Sequence, residues 1–117
     1  MIAPIRPSDS RGVREEFHPG DLVRHRRYPY RGVVVECDAR CQADEEWYQS
    51  NQTQPDRDQR WYHVLVDGTT TCTYAAASSL ERDTLGDPVQ HPLVELFFDG
   101  FFGGKHVRNK TPWPGSV

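Results

Sequence analysis

The residues best equipped for chemistry are three cysteines, Cys37, Cys41 and Cys72, together with the histidines His25 and His63. A thiol beside an imidazole can become a nucleophile, and Cys37-x3-Cys41 has a spacing that could bring two sulfurs to one metal, with Cys72 or His63 completing the set. Both chemistries need a surround. A nucleophilic cysteine wants a glycine-rich elbow or a recognised hydrolase context, and a structural zinc site wants a second clean pair; the chain offers neither. Cys37 and Cys72 fall in segments that read as strands, where a reduced, buried thiol is the ordinary outcome. His25 and His63 read as hydrogen-bonded structural groups, and His18 and His91 each precede a proline, which accounts for them as extended or turn residues. Gly103-Gly104-Lys105 lacks the earlier glycine and the following Ser or Thr of a phosphate loop, and no paired-carboxylate site or nucleotide fingerprint is present. The sequence therefore points to a non-enzymatic protein, with no catalytic residue, metal ligand or cofactor assigned.

Phosphate recognition is better supplied. Arg24, Arg26, Arg27 and Arg31 crowd one short connection, with Tyr28 and Tyr30 interleaved. Guanidinium groups pair with phosphates, while aromatic rings stack on bases or touch a base methyl in the major groove, a contact Trp47 could also make. A second basic set, Lys105, His106, Arg108 and Lys110, lies near the C-terminus. The candidate DNA-contacting residues are thus Arg24, Arg26, Arg27, Tyr28, Tyr30, Arg31, Lys105 and Arg108. The net charge of −3 opposes indiscriminate nucleic-acid binding, yet the acids Asp44, Glu45, Glu46, Asp56 and Asp58 sit in a different connection, leaving room for a local positive face. The plainer alternative is that both runs are solvated loops, with Tyr28 and Tyr30 packed over a barrel mouth. Trp47, Tyr48, Phe101 and Phe102 are candidates for a protein-interaction surface. Against that stands docking of Trp47 and Tyr48 onto the body of the protein, the expected reading for two aromatics tethering a long polar loop, and sealing of the barrel's open end by Phe97, Phe98 and Phe101.

These groups must be positioned by short strands. Pro19-Gly20-Asp21 supplies a turn; Leu22, Val23 and His25 open a first strand, and Gly32-Val33-Val34-Val35 continues a second after the basic connection. A polar loop, Asp38 to Gln59, separates this hairpin from another, WYHVLVDGTTTCTY, from Trp61 to Tyr74. Alternation there puts Trp61, His63, Leu65 and Asp67 on one face and Tyr62, Val64 and Val66 on the other, with Asp67-Gly68 as the turn. Both faces carry apolar groups, as a strand in a curled sheet requires. Ala75 to Leu80 reads as a turn or 3₁₀ segment. Pro92 opens a short helix through Phe98, with Leu93, Leu96 and Phe97 on one face and Gly100 as its end. With 117 residues, 36% of them hydrophobic, and a mean hydropathy of −0.77, one compact domain is expected. Its division is a flexible tail over 1–16, a barrel domain with a C-terminal extension over 17–113, and a tail over 114–117. No apolar run reaches membrane-span length and the N-terminus has no apolar signal core, so a cytoplasmic location is expected.

The succession GDLVRH, YRGVVVECD, WYHVLVDG, TYAAASSLE and HPLVELFFDGF resembles the hemimethylated-DNA-binding, YccV-like domain family, which includes the heat-shock protein HspQ. The likeness covers about residues 17 to 110, and GVVVECD facing WYHVLVDG across a long polar loop is its most specific part. HPLVELFFDGFFGGKHVRN is similar to the tail of longer family members, including those attached to F-box proteins. Cys37-Asp38-Ala39-Arg40 departs from the Asp-Pro common at that strand end, and Tyr74-Ala75-Ala76-Ala77 replaces a more acidic stretch. The resemblance implies a mainly all-β fold, a small SH3-like, partly open antiparallel β-barrel with a short C-terminal helix. It also implies binding without catalysis. The partner would be DNA, hemimethylated in the family's case, or else an ATP-dependent protease and its protein substrates, served as an adaptor or specificity factor in the stress response, with self-association a further form of contact.

Overall fold

The computed structural model describes residues 16–51 and 54–114. Most of the expected N-terminal tail and residues 115–117 of the C-terminal one lie outside the described residues. Strands dominate: β1 (Leu22–His25), β2 (Arg31–Asp38), β3 (Trp61–Val66), β4 (Cys72–Ala76), β5 (Leu80–Arg82), β6 (Phe98–Phe102) and β7 (Lys105–Arg108). A five-stranded antiparallel sheet has the order β4-β3-β2-β1-β5, and β6 pairs with β7 as a separate hairpin. The larger sheet is not closed, β4 and β5 being its edges, so the molecule is an open small barrel of the expected kind. Among the described residues no helix is long and apolar enough to cross a membrane.

Every residue of β3 is buried, because the sheet is covered on both sides. Val23, Val34, Tyr62, Val64 and Ala75 face an inner core closed by Phe17 and Leu80. Leu22, Val33, Val35 and Leu65 face an outer one made with Val89, Phe97 and Phe98. The two-sided alternation in WYHVLV is the cause. In β2 strict alternation would fail after Val35, since Glu36 would turn into the inner core. A bulge between Val34 and Glu36 shifts the register, pairing Glu36 with His63 and Cys37 with Tyr62, and it is Cys37 that packs against the inner core.

Gly32 and Gly20 are places where a side chain cannot be fitted. A Cβ on Gly32 would lie 2.3 Å from the Leu65 carbonyl oxygen, so the β2–β3 pairing needs glycine there. Gly20, at φ +103°, donates to the Val34 carbonyl at 2.8 Å and accepts from the His106 amide at 3.0 Å. It therefore joins the β6–β7 hairpin to the main sheet.

Two elements differ from expectation. The long polar loop contains a one-turn helix, α1 (Glu45–Gln49), capped by the Asp44 carboxylate accepting from the Trp47 amide at 2.8 Å. The C-terminal helix α2 is shorter than Pro92 to Phe98, spanning Val94–Phe97; Leu96 is exposed, and Gly100 ends nothing. Phe98 is already a strand residue, because its pairing with Arg108 captures backbone that helical propensity alone would have extended.

Candidate nucleic-acid interface and aromatic cleft

The basic connection between β1 and β2 is wound around the last residue of β1. His25 Nδ1 accepts from the Arg27 amide at 3.0 Å and the Tyr28 amide at 3.1 Å, and the Tyr28 and Tyr30 rings lie 4.7 and 5.3 Å from the imidazole. Burial, with Arg27 beside it, pushes the imidazole below its ordinary pKa of 6.5, which preserves the Nδ1 lone pair those amides need. Nε2 then carries the proton. A residue expected to be structural is thus the organiser of the candidate binding loop.

The candidate arginines meet three different fates. Arg24 and Arg26 are exposed and share one counter-charge, Glu81, at 3.6 and 3.4 Å, and Arg26 also donates to the Leu80 carbonyl at 3.1 Å. Arg27 is exposed, lies 5.7 Å from the Tyr28 ring centroid, and makes no ion pair among the described residues. Arg31 is 15% exposed and turned inward: it pairs with Asp67 at 2.9 Å and Asp83 at 3.0 Å and donates to the Asp87 carbonyl. In the second basic set, Lys105 is exposed and reaches Asp21 at 3.3 Å. Arg108 donates to the Val35 carbonyl at 2.9 Å and the Asn109 carbonyl at 2.8 Å, with its guanidinium 5.1 Å from the Phe97 ring.

Beside the arginine loop opens a cleft of about 470 Å³ that the sequence does not announce. Every residue of the edge strand β4, from Cys72 to Ala76, lines it, facing His25, Tyr28 and Tyr30 from the loop. Tyr30 spans the two sides through a 3.0 Å hydrogen bond between its hydroxyl and Thr73 Oγ1. Trp47 on α1 closes another wall, its ring centroid 6.2 Å from Trp61 and 5.6 Å from Tyr74, both edge-on. Helix α1 therefore docks as expected, and Trp47 still faces the cleft. His63 stacks 4.5 Å from Tyr74 and 5.6 Å from Trp113, which completes the lining. Asp38 steadies this wall, accepting from the Tyr74 hydroxyl at 2.7 Å and lying 3.3 Å from His63 Nε2. Burial and that bond to Asp38 push the Tyr74 phenol well above its ordinary pKa, so it stays neutral.

Residues placed in two separate candidate sets thus share one site: Tyr28 and Tyr30 from the DNA set, Trp47 from the protein set. Tyr48 faces elsewhere, under the Arg57 guanidinium at 4.8 Å. Phe101 is half-buried against the outer core, and Phe102 is 74% exposed before the Gly103-Gly104 turn. Trp61, Tyr74 and Trp113 are not singled out by the sequence, and His63 reads there as structural, because their spacing is that of ordinary strand and tail residues. The one available signal was their aromatic character, which an edge strand and a returning C-terminus had to assemble. Cys41 is buried, Cys37 half-buried and Cys72 exposed, and among the described residues no group of three or more His, Cys, Asp or Glu could hold a metal.

The family model described as hemimethylated DNA-binding protein YccV like matches residues 15–105 of the chain. F-box only protein 21 of Homo sapiens and of Pongo abelii is similar, each 32% identical over 94 residues that cover 77% of this chain, and the Mus musculus protein is alike to the same extent. The match spans 15% of the length of those relatives. No solved structure matches the chain.

Proposed function

The chain belongs to the YccV-like family of hemimethylated DNA-binding proteins, and from that premise we propose that it is a DNA-binding module that meets the duplex through the β1–β2 connection. Arg24, Arg26 and Arg27 contact phosphates, Lys105 adds a further cation, and Arg31 and Arg108 act from within by holding the fold. The observation that carries this reading is the state of Arg27: an exposed guanidinium on a loop whose Arg27 and Tyr28 amides donate hydrogen bonds to His25 Nδ1, with no acidic partner among the described residues. A fixed, uncompensated cation gains by pairing with phosphate and loses little entropy in doing so.

The test is duplex binding by the whole chain across a salt series. Affinity is expected to fall steeply with salt, and Arg27→Ala to weaken binding and reduce the slope of log K against log salt by about one. Binding that ignores salt, or an Arg26→Ala, Arg27→Ala double variant that binds as wild type, would remove the reading.

One observation supports a second reading, an adaptor that presents proteins to an ATP-dependent protease. Phe102 is 74% exposed at the tip of the β6–β7 hairpin, away from the arginine connection, an apolar group of the kind that protein-interaction surfaces present. Recovery of nucleic acid without any consistent protein partner in a pull-down would count against it.

A further inference from the structure

We propose that the aromatic cleft is a receptor for a single unpaired nucleobase, taken from a strand whose phosphates lie on the neighbouring arginine loop. The inference rests on the DNA-binding reading above and adds the pocket, the ligand moiety and the residues that read it. The cleft has the size of small-ligand sites, which run from about 300 to 1,000 Å³. Its walls are aromatic rings, and the face of any base stacks on such rings.

The polar groups select among the occupants an aromatic cleft could take. His25 spends Nδ1 on two backbone amides, which leaves Nε2–H as its donor, with no hydrogen bond to another described residue. The Trp113 indole N–H is buried without an acceptor among the described residues. Both residues line the cleft, so its unmet demand is for acceptors. Base carbonyls and ring nitrogens are acceptors; a methylated ammonium offers none, and among the described residues no carboxylate lines the cleft to attract it. Charge outside the cleft agrees. Tyr28, 37% exposed and part of the lining, has the Arg27 guanidinium over its ring, so a cation would meet a like charge where a nucleotide would meet a phosphate partner.

The geometry also gives the order of contacts. Arg27 and Tyr28 are consecutive, so a base entering beside Tyr28 keeps its own phosphate within the reach of the loop, while the bonded hydroxyls of Tyr30 and Thr73 add polar groups to the lining. A fully paired base cannot enter, because its faces are stacked and its edge is engaged.

The experiment compares the whole chain binding a fully paired duplex with the same duplex carrying one bulged nucleotide, alongside a proline-rich peptide and a trimethyllysine peptide as competing probes. The bulged duplex is expected to bind roughly tenfold more tightly, within the range of a base–aromatic stack, and to shift the Trp113 indole N–H resonance. Trp113→Phe should abolish the preference and leave paired-duplex affinity in place, whereas Arg27→Ala should weaken both duplexes alike. Equal affinity for the two duplexes overturns the cleft proposal and leaves the DNA reading standing; so does saturable binding of either peptide with the Trp113 shift and no preference for the bulge. Failure to bind any DNA overturns both.

Discussion

Arg27 and Arg31 stand on one connection and look alike in sequence, yet their surroundings give them opposite work. Arg31 anchors three segments at once, through Asp67 after β3, Asp83 after β5 and the Asp87 carbonyl. Asp83 is 4% exposed, so removing its partner strands a buried carboxylate. Arg31→Ala is expected to cost about 3 kcal/mol in urea unfolding, and Arg27→Ala to stay within about 0.5 kcal/mol of wild type. Reversal of that order would mean the inward pairing of Arg31 is not what holds these segments. Loss of DNA affinity in an Arg31 variant must accordingly be read beside its stability, because the loop it abuts depends on the fold it secures.

The β6–β7 hairpin helps turn a single-sided sheet into a two-sided one, and Gly20 and Arg108 are among the residues that hold it. Gly20 exchanges backbone hydrogen bonds with Val34 and His106, and Arg108 takes the Val35 carbonyl at the β2 bulge, where the ladder is interrupted. The bulge thus keeps Glu36 out of the inner core and also offers the hairpin a point of attachment. Adding a Cβ at Gly20 would bring it within 2.1 Å of the His106 carbonyl oxygen, on a residue whose φ of +103° already disfavours any side chain. Gly20→Ala is expected to cost about 3 kcal/mol from strain and a displaced contact, with hydrogen exchange accelerating first in Lys105–Arg108. Uniform acceleration throughout β1 to β4 would instead place the hairpin in one cooperative unit with the sheet.

Three of the four buried histidines among the described residues give the molecule a common response to acid. His25, His63 and His106 are all held below the ordinary 6.5, by burial foremost, with Arg27 and Arg31 reinforcing it at His25 and His106 while Asp38 opposes it at His63. His25 and His106 also accept backbone amides, the latter from Val89 at 2.9 Å, with lone pairs that a proton would remove. Since folding depresses these values, the unfolded chain binds more protons between the folded pKa and 6.5. Stability is therefore complete above about pH 6.5 and falls as pH drops through the folded values. Urea midpoints should be flat from pH 7 to 8 and decline toward pH 5, and His25→Gln should flatten part of that decline. A midpoint that rises on acidification would contradict the neutral, acceptor role given to these rings.

Local pattern determined much of this protein. Alternation in LVRH, GVVV and WYHVLV specifies strands with two apolar faces, turn residues at Pro19-Gly20 and Asp67-Gly68 set the hairpins, and the motifs in that order carry the family. Side-chain period is a property of consecutive residues, so it can be read along the chain. The fate of each arginine could not be, because solvent exposure and counter-charge depend on Glu81, Asp67 and Asp83, between 36 and 57 positions away. Nor could the cleft, whose walls come from the β1–β2 loop, a one-turn helix, an edge strand and the C-terminal tryptophan. Each of those segments has its own local preference; only their packing into one sheet brings the rings within 4.5–6.2 Å of one another and leaves the buried Trp113 indole N–H without an acceptor among the described residues.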